Sequence, residues 1–200
     1  MQNGKPVAVV AGAGPGNGAA LARRFAEAGY AVALLARGRD ALAAFESEIA
    51  STRGYPCDVG DAASVERAFT AIRSELGEVD TLLYNAGSGV FADVEAITPD
   101  QFEQAWRVNA YGALLCAREV IPGMKARRSG NIIFIGATAS RRGGIRSAAF
   151  APAKAAQRSL AESMARKLWP EGVHVALIII NGIVDLPRTR KAMPGRPDDA

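Results

Sequence analysis

Val7-Ala8-Val9-Val10-Ala11 passes without a break into Gly12-Ala13-Gly14-Pro15-Gly16-Asn17-Gly18, and Ala19 to Ala28 then carries helical composition up to Gly29. An apolar run this short predicts a strand, and one this uniform predicts a strand buried on both faces. Glycine lets the backbone approach a ligand closely, and the first turn of the helix beyond offers free N–H groups and the positive end of its dipole. Strand, glycine turn and helix in this order predict a seat for the pyrophosphate of a dinucleotide. The alternative is a tight turn without a ligand.

The same alternation continues outward from this turn. Ala31 to Ala36, Val79 to Tyr84, Asn131 to Ile135 and Val173 to Ile180 read as further buried strands, with Gly54 to Cys57 a weaker extended segment. Between them, Asp40 to Ala50 is helical, and Asp61 caps a helix that runs to Leu76. Thr98-Pro99-Asp100 opens a helical stretch to about Arg128, and Ala148 to Trp169 forms another that Pro170 and Gly172 end. Apolar strands joined by helical crossovers predict a doubly wound α/β fold, with a parallel sheet between two helical layers.

Composition bounds what such a fold does. The 200 residues, 49% hydrophobic and 22% charged, suffice for a single domain. It is expected over residues 1–186, with 187–200 as a mobile tail or the start of a substrate-covering segment. The net charge of +4, from 24 basic and 20 acidic residues, is too small an excess to announce nucleic-acid binding. Pro6 to Ala22, the longest uncharged stretch, is broken by glycines and does not read as a membrane span. Cys57 and Cys116 stand apart with no ligand spacing, which predicts a reducing, cytoplasmic setting and no metal. His174, at a strand start, reads as structural or exposed.

Gly12, Gly16 and Gly18 follow G-x-x-x-G-x-G rather than G-x-G-x-x-G, because Asn17 stands three positions after Gly14. Asn85-Ala86-Gly87 follows the fourth strand, Trp106-Arg107-Val108-Asn109 lies in the next helix with Gly112 beyond it, and Lys154 lies on the helix after the fifth strand. On these motifs, over about residues 5 to 186, the chain resembles the short-chain dehydrogenase/reductase family. The resemblance implies a Rossmann-type domain whose turn residues Gly12, Gly14, Gly16, Asn17 and Gly18 hold a nicotinamide dinucleotide. It further implies that Asp58 and Val59 lie by the adenine, Asn85, Ala86 and Gly87 against the cofactor ribose, and Gly182 and Val184 near the carboxamide. Asn109 is implied in a proton relay, and Lys154 in holding the nicotinamide ribose. Arg37 and Arg39 end the second strand where a carboxylate would accept from the ribose of NAD; guanidinium groups suit the extra phosphate of NADP. NADP is the expected cofactor and NAD the alternative.

The resemblance also exposes departures. The family places Tyr-x-x-x-Lys on the helix after the fifth strand, whereas this chain has Phe150-Ala151-Pro152-Ala153-Lys154. A phenyl ring has no proton to give, and loss of one positioned donor costs roughly 10² to 10⁴ in rate. Counting back to the family's serine reaches Ala137, with the hydroxyls of Thr138 and Ser140 close by. Leu186 stands where the family commonly has threonine, and a typical member continues into a seventh strand, so an open pocket or a missing segment is expected. The expected function is NAD(P)-dependent oxidation or reduction of a small carbonyl, alcohol or related substrate, using Asn109, Thr138 and Lys154 around Phe150 with an atypical proton donor. The alternative is a nucleotide-binding protein with a structural or regulatory role. Arg141, Arg142 and Arg146 read either as receivers of an anionic substrate or as a solvated loop. The alanine-rich helices imply a homodimer, with a tetramer as the alternative; neither membrane nor nucleic acid is an expected partner.

Overall fold

The computed structural model describes residues 4–88, 90–184 and 187–192. In chain order the elements are β1 (Val7–Ala11), α1 (Asn17–Glu27), β2 (Ala31–Ala36), α2 (Arg39–Glu48), β3 (Thr52–Pro56), α3 (Ala62–Glu75), β4 (Val79–Tyr84), α4 (Pro99–Trp106) and α5 (Gly112–Ala126). They continue with β5 (Gly130–Ala137), α6 (Phe150–Leu168), β6 (Val173–Ile180) and α7 (Pro187–Ala192). The six strands form one sheet in the order β3-β2-β1-β4-β5-β6, and every pairing is parallel. This is the doubly wound α/β architecture expected from the alternation of apolar runs and helices.

Side chains on successive strand residues point to opposite faces, so each central strand feeds two cores. Val9, Leu35, Leu82 and Phe134 face α3, α5 and α6, where they pack with Phe69, Ile72, Cys116, Met124 and Ala161. Val10, Leu34 and Leu83 face α1 and α2 and meet Ala22 and Leu42. Full burial of a Phe or Leu contributes roughly 1.5–3 kcal/mol, so these two layers carry the fold.

Helix starts follow local chemistry. Asp61 accepts a hydrogen bond from the Ala63 N–H at 3.1 Å, and Thr98 and Gln101 form a capping box with Pro99 in the first turn. The stretch expected as one helix from Pro99 to Arg128 is instead interrupted by a π turn at Arg107–Tyr111. Two side-chain donors hold that turn: the Tyr84 hydroxyl donates to the Val108 carbonyl, and Gln157 Nε2 donates to the Asn109 carbonyl at 3.0 Å. Gly112 lets the turn sit close, since a Cβ there would lie 2.5 Å from the Tyr84 hydroxyl oxygen and 2.6 Å from the Val59 carbonyl oxygen. Among the described residues no helix is long and apolar enough to cross a membrane, and no metal-binding cluster of His, Cys, Asp and Glu is found.

Candidate functional site

The strand order reverses between β1 and β4, which opens a crevice beyond their carboxyl ends. On one side lies the glycine turn. Gly12 N and Ala13 N both donate to the Leu35 carbonyl at 2.9 Å, and Asn85 Nδ2 donates to the Gly12 carbonyl at 2.8 Å. Gly12 has φ +94°, and a Cβ on it would fall 2.5 Å from the Ala86 nitrogen; a Cβ on Gly18 would fall 2.6 Å from the Gly12 carbonyl oxygen. Both glycines are therefore imposed by backbone packing. Gly14 is different: a Cβ there would meet nothing within 4 Å, so its bare backbone faces open space. No side chain caps α1 at Gly16, which leaves the first-turn amides of Asn17 and Gly18 available to an anion.

Arg37 lies two residues beyond Leu35, whose carbonyl holds the turn. Arg37 and Arg39 are exposed and make no ion pair among the described residues. Asp58 Oδ1 accepts from the Gly60 N–H at 2.9 Å, while Val59 is buried.

On the other side of the crevice, Asn109, Lys154 and Gly87 converge. Asn109 is fully buried in the π turn; its Nδ2 donates to the Ala105 carbonyl at 2.8 Å, and its Oδ1 has no hydrogen-bond partner among the described residues. Lys154 is 5% exposed, and its Nζ donates to the Ile135 carbonyl at 2.9 Å and to Gln157 Oε1 at 3.0 Å. Burial pulls its pKa down from 10.5 to about 8. A Cβ on Gly87 would stand 3.4 Å from Asn109 Oδ1 and 3.9 Å from Lys154 Nζ, so both polar atoms look onto the exposed backbone of that glycine.

Phe150 packs against Phe91 with ring centroids 5.2 Å apart, and Lys154 Nζ lies 6.0 Å from the Phe150 ring centre. The hydroxyl of Thr138 donates to Asn181 Oδ1 at 2.8 Å, on the β6 side. The Ser140 hydroxyl is buried without a partner among the described residues. Arg141, Arg142 and Arg146 are exposed and make no ion pair among the described residues. Gly182 is exposed, and the Val184 carbonyl accepts from the Thr189 hydroxyl at 2.8 Å. Leu186 lies outside the described residues. His174 is exposed, with its ring edge-on to Trp169, and Cys57 and Cys116 are buried free thiols.

Sequence reasoning missed Tyr84, Phe91 and Gln157. Gln157 had a signal: a carboxamide at three-residue spacing from Lys154 on an alanine-rich helix shares its face. Phe91 had none, because its loop approaches Phe150 only in the folded chain.

The crevice thus presents bare amides and free guanidiniums to an anionic ligand at one end and a buried amine beside an unpartnered carbonyl oxygen at the other. Comparisons with known proteins agree with that geometry. The family model described as short chain dehydrogenase matches residues 6–196. The chain is 34% identical over 182 residues to 3-oxoacyl-(acyl-carrier-protein) reductase MabA of Mycobacterium bovis, covering 91% of this chain and 70% of that one. A metagenomic short-chain oxidoreductase solved in complex with NADP superposes with a TM-score of 0.83 at 31% identity, covering 87% of this chain and 81% of the other. An NAD+-bound xylitol dehydrogenase gives a TM-score of 0.83 at 32% identity, over 88% of this chain and 70% of the other.

Proposed function

Because this chain belongs to the short-chain dehydrogenase/reductase family, we propose that it is an NADP-preferring oxidoreductase acting on a small carbonyl, alcohol or related substrate, with Lys154 as its proton-carrying group. The observation that carries the reading is the convergence of Asn109 Oδ1 and Lys154 Nζ over Gly87, across the crevice from the glycine turn. A bound nicotinamide dinucleotide supplies or accepts the hydride, and the chain supplies binding, orientation and the proton.

The residues fit such a ligand. Gly12 and Gly18 fold the turn, Gly14 leaves room for a pyrophosphate, and the uncapped start of α1 supplies amides and dipole. Arg37 and Arg39 would receive the additional phosphate of NADP, and Asp58, whose Oδ1 accepts from the Gly60 N–H, would lie by the adenine. Asn85 fixes the turn, and Ala86 and Gly87 line the ribose side. Asn109 Oδ1, buried without a partner among the described residues and beside Gly87, would accept a hydroxyl of the ligand, because a buried carbonyl oxygen left unpaired costs about 1–3 kcal/mol. Gly182 and Val184 present backbone to the nicotinamide end.

Phe150 has no exchangeable proton, and the Thr138 hydroxyl is engaged with Asn181. Lys154 Nζ, whose pKa burial pulls down to about 8, is left to donate in reduction and accept in oxidation. Phe91 and Phe150 give the substrate side an apolar wall. Phe150 and Ala137, neither of which offers a hydroxyl, support a second reading, a nucleotide-binding protein without turnover. The exposed Phe102 and the Trp106–Tyr111 stack, centroids 5.6 Å apart, give an apolar surface that supports the reading of a homodimer; light scattering checks it.

Calorimetric titration with NADPH and NADH, repeated on Arg37→Asp, tests the cofactor. NADPH is expected to bind at least about 10-fold tighter than NADH, with the preference lost in the variant, as removal of one charge-assisted hydrogen-bonding group implies. Absence of heat with both nucleotides overturns the reading. Tight binding without substrate-dependent NADPH oxidation across a broad carbonyl panel selects the non-catalytic alternative.

A further inference from the structure

Gln157 is fully buried, one helical turn beyond Lys154 on α6. Its carboxamide bridges two groups of opposite demand: Oε1 accepts from Lys154 Nζ at 3.0 Å, and Nε2 donates to the Asn109 carbonyl at 3.0 Å. A glutamine supplies an acceptor and a donor at once, and these partners fix which way round its amide sits. An apolar residue here would leave the Asn109 carbonyl and one N–H of Lys154 unsatisfied in the interior.

The amine of Lys154 has limited freedom. Ile135 and Gln157 take two of its hydrogen-bonding directions, and Gly87, whose added Cβ would lie 3.9 Å away, marks the side left open. We propose that Gln157 is a positioning residue: it turns the Lys154 amine toward the space over Gly87 and ties that orientation to the π turn carrying Asn109. This assignment rests on the oxidoreductase reading for what the amine meets there; the orientation is a property of the chain alone.

The neighbourhood makes the bridge readable. Burial alone depresses the Lys154 pKa; among the described residues no charged group contributes to the shift from α6 itself or from β4, β5, the π turn or α5. The polar groups that touch Nζ are the Ile135 carbonyl and Gln157 Oε1. A change at residue 157 therefore acts on the amine directly.

The test is the Lys154 titration, followed by NMR of the full chain with isotope-labelled lysine and without nucleotide, with Lys154→Arg used to assign the signal. Wild type is expected to titrate near the buried value of about 8. Gln157→Glu places a carboxylate against the amine and is expected to raise the titration by at least about 1 pH unit; Gln157→Met removes the acceptor and lowers it by about 1. The dissociation constant for NADPH at pH 7 is expected to rise about 10-fold in Gln157→Met, which leaves both Lys154 and the Asn109 carbonyl without that partner. Unchanged Lys154 titration in both variants, with only a lower melting temperature, overturns the proposal and leaves Gln157 as a support for the π turn. If Gln157→Met does not fold, the direction of shift in Gln157→Glu decides. A titration that moves as stated in protein that binds neither NADPH nor NADH upholds the positioning and removes the oxidoreductase reading, so the two fail separately.

Discussion

Lys154 carries an energetic burden that its surroundings do not relieve. Its amine is held by neutral oxygens, with no carboxylate to offset burial, and its pKa falls from 10.5 to about 8. In the unfolded chain the lysine stays protonated up to its ordinary value, so between pH 8 and 10.5 the unfolded state binds more protons and stability rises with pH. Below pH 8 both states are charged and the full penalty, about 3 kcal/mol, is present. Other groups move the opposite way: burial pushes the Cys57 thiol up to about 11, so stability falls as pH climbs through the ordinary thiol range. The Lys154 contribution is isolated by subtraction. Urea denaturation of wild type and Lys154→Met at pH 7 and 9.5 is expected to show the difference shifting in favour of wild type by about 2 kcal/mol across that interval. A difference independent of pH would mean that the amine is not desolvated as its burial implies.

In the proposed reading the glycine turn serves folding and binding through different residues. A Cβ on Gly12 or Gly18 would fall 2.5 or 2.6 Å from backbone atoms, whereas a Cβ on Gly14 would meet nothing within 4 Å. Gly12→Ala is expected to cost about 2–4 kcal/mol, because it combines a backbone clash with strain at positive φ. Gly14→Ala is expected to keep stability within about 1 kcal/mol of wild type while weakening NADPH binding about 10-fold or more, since its methyl intrudes where a pyrophosphate would lie. Thermal denaturation paired with calorimetry separates the two, and a Gly14→Ala protein with wild-type affinity would remove Gly14 from the binding surface. The turn was legible in sequence because its chemistry is local, as were β1, β2, β4 and β6, whose apolar runs begin and end where the strands do. The π turn was not. Helical composition continues through Arg107–Tyr111, and the interruption depends on donors from Tyr84 and Gln157, far along the chain. β3 begins two residues earlier than its weak extended signal because pairing with β2 defines it, register Val32 to Thr52 through Ala36 to Pro56. At the site, single residues betrayed the departures at Phe150 and Ala137, while the engagement of Thr138 by Asn181 needed the approach of β6 to β5.

At the scale of the whole molecule, the two ends of the crevice belong to different halves of the sheet. The turn after β1 is tied to β2 through Leu35, whereas Asn109 and Lys154 are held by the layer that covers β4 and β5. The halves meet along the β1–β4 ladder, and at its carboxyl end the Asn85 side chain adds a hydrogen bond to the Gly12 carbonyl. A dinucleotide lying across the strand reversal would contact both halves in the folded state and neither in the unfolded chain, so its binding energy becomes folding energy. At a free concentration of about 100 times the dissociation constant this adds about 2.7 kcal/mol. For a chain of this length, that raises the melting temperature by roughly 5–10 °C. The expected result is a rise of that size with NADPH in wild type, and a smaller one in Lys154→Met at the same free concentration, because the variant lacks the amine at the far end. A nucleotide held only by the glycine turn would give equal shifts in the two proteins, and that equality would confine the binding site to the β1–β2 half of the sheet.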